Sequence, residues 1–324
     1  MLLRYLVFLA PLCVVSAQGT LSGPSLGVFF DPQAQALRRI WGLPGAAVGG
    51  ENLDLGFSVT QATVSPAQNY AFIASGDGSV SFVPLGQKTI APQAMTGLPP
   101  TPDRIVISPA GSAAAFIYGK SVKILTGLPE SLDRIEEIDG SSLPGAPGAL
   151  AISDDGAVLV VSVASDMQTS SAGGVFVLNR GDSGPRLVAN AASDLSFFPD
   201  SHDALITDET SNSVTALQDI GGVATSQWTF VDDRLPAPSS ARASVDGQRF
   251  LVAGAKNNLV ALLDRNGANP VFLPCTCSPD RLSPLSNSVY QLTGPDSGLL
   301  WILDLSHDPQ LLFVPIPPAS GESK

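Results

Sequence analysis

Positive charge is scarce in this sequence. The 324 residues include five lysines, and 17 basic residues stand against 29 acidic ones, so the formal net charge is −12. Proteins that bind nucleic acid need a surplus of Lys and Arg on one face to neutralise phosphates. We therefore expect no nucleic-acid partner.

Residue types that catalyse reactions or hold metals are also few. The chain has two histidines and three cysteines, and 14% of its residues are charged, against about 25% in an average soluble domain. It contains no glycine-rich phosphate loop, no His-Glu-x-x-His helix and no haem-attachment Cys-x-x-Cys-His. His202 and His307 both lie in expected turns, which argues against a Ser-His-Asp triad. The sequence therefore identifies no catalytic residue and no cofactor-binding residue.

Long apolar runs are missing after the N-terminus. Arg4, the apolar run 5–15 and the small residues before position 18 fit a signal peptide cleaved after Ala17. No later stretch reaches the length of a membrane-spanning helix, so we expect no transmembrane segment after cleavage. The protein is thus predicted to be exported, to the periplasm or the cell exterior. Residues 18–25 are interpreted as a linker, 26–316 as a single domain and 317–324 as a disordered tail.

What the sequence does contain is a repeat. Short turn motifs such as Ile107-Ser108-Pro109 and Ser244-Val245 are each flanked by apolar segments, and 31 Gly and 27 Pro argue against long helices. The central turn residues are Pro66, Pro109, Asp154, Pro199, Val245 and Pro284, at intervals of 39 to 46 residues. This period matches a four-stranded, WD40-like propeller blade.

The units predict an all-β propeller. Each has an apolar strand before the turn, a second after it, a third after a polar loop and a less clear outer strand, which makes six four-stranded repeats. The segment Leu26–Ile40 is interpreted as the third and fourth strands of a unit that lacks its first half. We therefore favour a ring of seven sectors, with a six-bladed ring and an added hairpin as the alternative.

Apolar strands follow these turns, and several of the strands end in an acid or amide. This pattern resembles that of secreted bacterial propellers with YVTN-type repeats and their lactonase-like relatives. The resemblance covers residues 26–316. No unit contains Tyr-Val-Thr-Asn, and the turn glycine is replaced in three units. By resemblance, a lactonase-like activity would place a divalent metal and carboxylates at the central opening.

Loops on one face of the ring supply the candidate site. Acidic residues between second and third strands are candidate ligands for Ca²⁺, which takes six to eight oxygens; they are Asp77, Asp166, Asp208, Glu209 and Asp296. The same loops carry Lys120, Lys256, Asn257 and Asn258. The loops entering the first strands add Asp103, Arg104, Asp194, Arg234, Arg242, Asp280 and Arg281. The alternative is that these polar residues are simply solvated.

Two local features complete the candidates. Once the signal is removed, Cys275 and Cys277 are the only cysteines, so an exported protein is expected to pair them in a disulfide, with free thiols and a redox or metal role as alternatives. The loop after the second strand of the third full unit is longer than in its sister units. Its residues Ser165, Asp166, Met167 and Gln168 are candidates for ligand binding, although a neutral insertion explains the length equally well.

We conclude from the sequence that this is an exported propeller acting as a binding or scaffold module. Its partner is an unidentified protein, glycan or small molecule. The alternatives are a metal-dependent lactonase-like hydrolase with carboxylates at the central opening, and a structural protein of the cell envelope.

Overall fold

The protein is an all-β, seven-bladed propeller. The computed structural model describes residues 23–318 except 88–89, 166–172, 183, 287 and 296–297. These residues form 27 strands and one 3-10 helix, Ala255–Asn257, and the strands build seven antiparallel sheets arranged as the blades of a ring. The prediction of seven sectors is confirmed, and the six-bladed alternative is wrong.

The strands follow each other along the chain, blade by blade. Blade 1 contains β1 (Ser25–Asp31), β2 (Ala36–Trp41) and β3 (Val48–Asn52). Blade 2 contains β4 (Val59–Val64), β5 (Tyr70–Ser75), β6 (Val80–Pro84) and β7 (Gln93–Ala94). Blade 3 contains β8 (Arg104–Ile107), β9 (Ala113–Tyr118), β10 (Ser121–Thr126) and β11 (Ile135–Asp139). Blade 4 contains β12 (Pro147–Ile152), β13 (Val158–Val163), β14 (Gly174–Asn179) and β15 (Arg186–Ala189).

The remaining blades have the same order. Blade 5 contains β16 (Asp194–Phe197), β17 (Ala204–Asp208), β18 (Ser213–Gln218) and β19 (Thr225–Val231). Blade 6 contains β20 (Ser240–Ala243), β21 (Arg249–Gly254), β22 (Leu259–Asp264) and β23 (Val271–Pro274). Blade 7 contains β24 (Ser283–Pro284), β25 (Val289–Gln291), β26 (Leu299–Asp304) and β27 (Gln310–Pro315).

The position of the N-terminal segment differs from the prediction. Strand β1 lies beside β4, the first strand of blade 2, and its residues Val28, Phe29 and Phe30 line the centre of the ring. Leu26–Ile40 therefore contributes the first and second strands of blade 1, not the third and fourth, and β3 supplies a third. A strand at the centre is enclosed by the ring, and this explains why β1 is almost wholly buried.

The recurring serine explains the repeat. In blades 2, 3, 4 and 6 a buried Ser directly follows the first strand, and its hydroxyl accepts a hydrogen bond from the backbone where the second strand starts. Ser153 Oγ, for example, accepts from the amide of Val158 at 3.0 Å and donates to Asp155 Oδ1 at 2.6 Å. Ser and Asp side chains that bond the nearby backbone favour tight turns. The repeat is thus a β-hairpin whose turn is stabilised by its own serine side chain.

The core is divided among the seven blade interfaces. Seven apolar clusters are found among the described residues, and each joins residues of two neighbouring blades. In the interface of blades 2 and 3, the rings of Phe72 and Phe116 meet edge-on at 4.9 Å, and the Tyr70 hydroxyl donates to the carbonyl of Gly111 at 2.8 Å. Burial raises the pKa of Tyr70 above its ordinary value, so the hydroxyl stays protonated as a donor.

Blades 1 and 7 close the ring without sharing a strand, because every sheet uses one continuous stretch of chain. An apolar cluster joins them instead, together with a hydrogen bond from the buried Arg38 of blade 1 to the segment that follows β27. Arg38 Nη1 lies 3.0 Å from Asp31 Oδ2, its Nε donates to the carbonyl of Gly50 at 2.9 Å, and its Nη2 donates to that of Pro317 at 2.7 Å. The guanidinium thereby connects blade 1 to the residues that directly follow the last strand.

Candidate functional site

The first strands of the blades surround a central channel of about 630 Å³. The ring has two faces. The turn face carries the turns between first and second strands, such as 65–69, and the entry face carries the loops that lead into the first strands, such as 279–282. Most of the channel wall is apolar, with side chains such as Val64, Ile107, Ile152, Phe197 and Leu282. Its polar side chains therefore stand out.

Arg242 is the main charged group inside the channel. It lies in β20, and its Nη1 is 2.5 Å from Asp194 Oδ2 while its Nη2 is 3.3 Å from Asp194 Oδ1. Asp194 begins β16 in the adjacent blade and also accepts a hydrogen bond from Ser240 Oγ at 2.7 Å. The side chain of Arg242 is 31% exposed, and the residue lines the channel.

Two further arginines lie on the entry face. Arg281 lines the channel just before β24, and its Nε and Nη2 donate to the exposed neighbour Asp280 at 3.0 and 3.2 Å. Arg104 begins β8, and its Nη1 donates to the carbonyl of Gly148 in blade 4. Neutral polar groups also line the channel, namely the buried Ser196 and Gln291.

The turn-face end of the channel is different. Its wall contains Pro32, Pro66, Pro109, Pro199 and Pro284, together with Asp200. Asp154 accepts hydrogen bonds from the amides of Ala110 and Asp200, both at 2.7 Å, and so links blades 3 and 5. At this end of the channel the carboxylate of Asp154 is thus already hydrogen-bonded to backbone amides.

Gln68, in the turn after β4, connects blades 1, 2 and 7 on the turn face. Its Oε1 accepts from the amide of Val28 at 2.6 Å, and its Nε2 donates to the carbonyl of Pro284 at 3.0 Å. A Cβ at Gly27 would lie 2.7 Å from the carbonyl oxygen of Leu285 and 2.9 Å from Gln68 Oε1. The close approach of β1 to this bridge thus requires glycine.

Two of the acidic candidates for Ca²⁺, Asp77 and Asp208, accept hydrogen bonds from groups of their own hairpins. Asp77 Oδ1 accepts from Ser75 Oγ at 2.6 Å and from the amide of Ser79 at 2.9 Å, and these bonds lower its pKa to about 2. Asp208 accepts from the amide of Thr210 at 2.9 Å and from Ser211 Oγ at 2.7 Å.

The remaining acidic candidates do not add a described ligand to a shared Ca²⁺ site. Glu209 is exposed, and Asp166 and Asp296 lie outside the described residues. No group of three metal-binding side chains exists within the part of the chain that the structure describes. The described acids of the entry face are therefore not gathered into one site.

The other predicted loop residues have structural contacts. Asp103 Oδ2 accepts from the amide of Gly119 at 2.6 Å, and Lys120 Nζ donates to the carbonyl of Leu143 at 2.6 Å. Arg234 pairs with Asp232 at 2.7 Å and lies 3.8 Å above the ring of Phe272. The residues Lys256, Asn257 and Asn258 belong to the short connection between β21 and β22.

The cysteines lie away from the channel wall, and the long loop falls largely outside the described residues. Cys275 and Cys277 are disulfide-bonded, buried, and packed in the cluster between blades 6 and 7. Ser165 is exposed at the end of β13, whereas Asp166, Met167 and Gln168 fall outside the described residues.

Sequence reasoning missed several of the polar groups that shape the channel, namely Gln68, Ser196 and Gln291 as lining residues and Asp154 as a bridge. The sequence does set Arg242 apart, because it stands two residues before the turn serine of its blade. The matching residues of blades 2 to 4 are Thr63, Val106 and Ala151, and Ser196 occupies this place in blade 5, where Phe198 replaces the serine. A long cation in a position otherwise filled by small or apolar residues indicates a special environment.

None of the described helical segments has the length and apolar character needed to span a bilayer. No family model matches the sequence, and no curated protein matches it. Similar solved structures do exist.

One is a putative 6-phosphogluconolactonase from Bacteroides fragilis, with a TM-score of 0.58, 12% identity, and coverage of 90% of this chain and 94% of that one. Another is a functionally unknown protein from Desulfotomaculum acetoxidans, with a TM-score of 0.57, 12% identity, and coverage of 90% and 99%. At this identity the similarity shows the fold alone: this chain shares the seven-bladed propeller architecture of a lactonase-like neighbour.

Proposed function

We propose that this protein is a ligand-binding propeller whose site is the central channel, entered at the face that carries Arg242 and Arg281. The observation that carries the proposal is the channel itself, with its volume of about 630 Å³. Small-molecule sites commonly have volumes of roughly 300–1,000 Å³.

The composition of the wall supports this function. Small-molecule sites combine an apolar lining with a few placed polar groups. Here the apolar first strands form the wall, and Arg242, Ser196 and Gln291 supply the polar groups. Rigid blades hold these side chains in place, because Arg242 is fixed by Asp194 and Ser196 Oγ donates to the carbonyl of Ala241 at 2.9 Å.

The N-terminal sequence adds a location to the proposal. The segment before residue 18 has the pattern of an export signal, so we place the binding activity in the periplasm or outside the cell. A binding module needs no cofactor, and Ca²⁺ remains a separate proposal for the acids of the entry face.

The test uses a neutral fluorescent probe, N-phenyl-1-naphthylamine, whose emission rises in apolar surroundings. We expect one probe molecule to bind per chain. Val106→Phe and Ala243→Phe each add a ring to a half-buried position of the channel wall, and we expect either variant to weaken binding at least tenfold. Ala94→Phe is the matched control, because Ala94 is exposed on the outer strand β7.

Two variants are used because a ring added to the wall can also perturb folding. Circular dichroism and thermal melts identify the variant that keeps the parent fold, and its probe titration decides the question. Unchanged binding in a folded channel variant, or equal loss in the Ala94 control, would mean that the probe binds elsewhere and the channel proposal is wrong.

A second candidate function is lactone hydrolysis. The Bacteroides fragilis neighbour favours it, together with a carboxylate, Asp194, beside an arginine near the channel entrance. In this reading Asp194 would direct water to a lactone carbonyl held near Arg242. Both described histidines lie outside the channel wall, and His202 pairs with Asp155 at 3.0 Å.

Hydrolysis is measured by base uptake on glucono-δ-lactone at constant pH, with and without added Ca²⁺. The hydrolase function predicts a rate above buffer that Asp194→Asn reduces by at least a hundredfold, and the metal-dependent form predicts stoichiometric heat in a Ca²⁺ titration. Arg180→Gln, at an exposed pair, is the control.

A further inference from the structure

We propose that the channel ligand is an amphipathic carboxylate, with its acid group at the arginines of the entry face and its apolar chain pointing toward the turn face. This inference rests on the proposed channel function and specifies its ligand. The evidence comes from the charge and polarity of the two ends of the channel.

The entry end offers unused cationic donors. Arg242 lines the channel with its side chain 31% exposed, and Arg104 lies on the same face of the ring without a carboxylate partner among the described residues. Arg281 uses Nε and Nη2 for Asp280, which leaves Nη1 available. Guanidinium groups bind carboxylates well because their planar donors match the two oxygens. A ligand acid would therefore find its partners here.

The turn end cannot serve the same purpose. Its charged lining residue is Asp200, and the amide of Asp200 is already bonded to the carboxylate of Asp154. The bridge by Gln68 likewise uses the amide of Val28 and the carbonyl of Pro284. An anionic group at this end would meet like charge and few free donors, and this sets the orientation of the ligand.

The middle of the channel suits an apolar chain. Between the arginines and the prolines the wall is built from residues of the first strands, including the half-buried Val64, Val106, Ile107 and Ala243. Two neutral polar residues of these strands, Thr63 and Ser196, donate their hydroxyls to the carbonyls of Ile105 and Ala241. Burying a polar group here without a partner would be costly, whereas burying methylene groups is favourable.

The experiment is calorimetry with hexanoate, octanoate and decanoate on the folded parent protein, with decanol and decyltrimethylammonium as neutral and cationic analogues. Each buried methylene contributes about 0.8 kcal/mol, so we expect the affinity of the acids to rise roughly fourfold per methylene. Decanoate should bind at least tenfold tighter than decanol, and the cation should bind weakest.

Variants test the position of the acid group. Arg281→Gln and Arg242→Gln should each weaken decanoate roughly tenfold, because a hydrogen bond to a charged group is lost, and should weaken decanol much less. Arg281 is exposed, so its variant is expected to fold even if Arg242→Gln disturbs Asp194. Arg265→Gln is the control, because Arg265 is exposed in the turn between β22 and β23, on the turn face.

The outcomes separate the two proposals. If the neutral probe depends on the channel but decanoate and decanol bind equally, or the cation binds best, or Arg281→Gln has no effect, the carboxylate inference is wrong and channel binding stands. If neither the probe nor decanoate responds to the folded channel-filling variants, both are wrong.

Discussion

Removing the carboxylate of Asp31 should destabilise the closure between blades 1 and 7. Asp31 is 5% exposed and Arg38 is 3% exposed, with 3.0 Å between their charged atoms. In Asp31→Ala the guanidinium keeps its bonds to the carbonyls of Gly50 and Pro317 but loses its counter-charge while buried. Removing one partner of a buried pair costs about 3–5 kcal/mol.

The assay is thermal and urea unfolding of parent and variant at neutral pH. For a chain of this size about 2 °C of melting temperature corresponds to 1 kcal/mol, so we expect a fall of about 6 °C or more. Arg180→Gln is the control, because its pair with Glu136 is exposed and 3.3 Å long, and such pairs contribute about 1 kcal/mol or less.

A double variant separates the charge from the packing. Asp31→Ala combined with Arg38→Met removes both charges, so no unpaired ion remains buried, and its loss should be smaller than the sum of the two single losses. The reasoning would be refuted if Asp31→Ala lowered the melting temperature no more than the exposed control does.

Four further predictions follow from single features. The pKa of Asp77 is lowered to about 2 by its bonds to the neighbouring serines. Its ionised form therefore stabilises the fold above its unfolded pKa of about 3.9, and the benefit is lost as the pH falls through 2. Asp77→Asn should lower the melting temperature at pH 7 and change it little at pH 2 or below. Alkylation of the native protein without reductant should label neither Cys275 nor Cys277, and two labels would contradict the pairing. Intact mass of the exported product should show cleavage after Ala17, whereas full-length protein in the membrane fraction would oppose it. Deleting residues 167–171 should shift the melting temperature by only a few degrees, and a fall of more than about 8 °C would show that this loop packs in the ring.

The sequence alone determined the local units of the fold. Turn residues recur at blade-sized intervals, and in four blades a serine after the first strand bonds the start of the second strand a few residues later, as Ser108 does with the amide of Ala113 at 3.1 Å. These contacts span few residues, so their pattern can be read directly from the chain. The number of sectors followed from counting the units.

The position of a strand within its blade depended on the tertiary structure. The apolar segment beginning at Leu26 fits an inner or a third strand equally well by composition. Its neighbours decide the matter, because β1 faces β4 and the channel once the ring is closed. Local propensity carries no information on which edge of a sheet becomes enclosed.

The candidate site shows the same division. Arg104, Asp194, Arg242 and Arg281 were predicted on the entry face from the alternation of strand direction, but nothing in the sequence paired Asp194 with Arg242, 48 residues apart. Gln68 and Pro284, separated by 216 residues, meet for the same reason. Distances between blades depend on the number of blades and on how the ring closes. Only the tertiary structure could therefore place Arg242 and Arg281 at one end of an apolar channel and leave Asp77 and Asp208 bonded within their own hairpins.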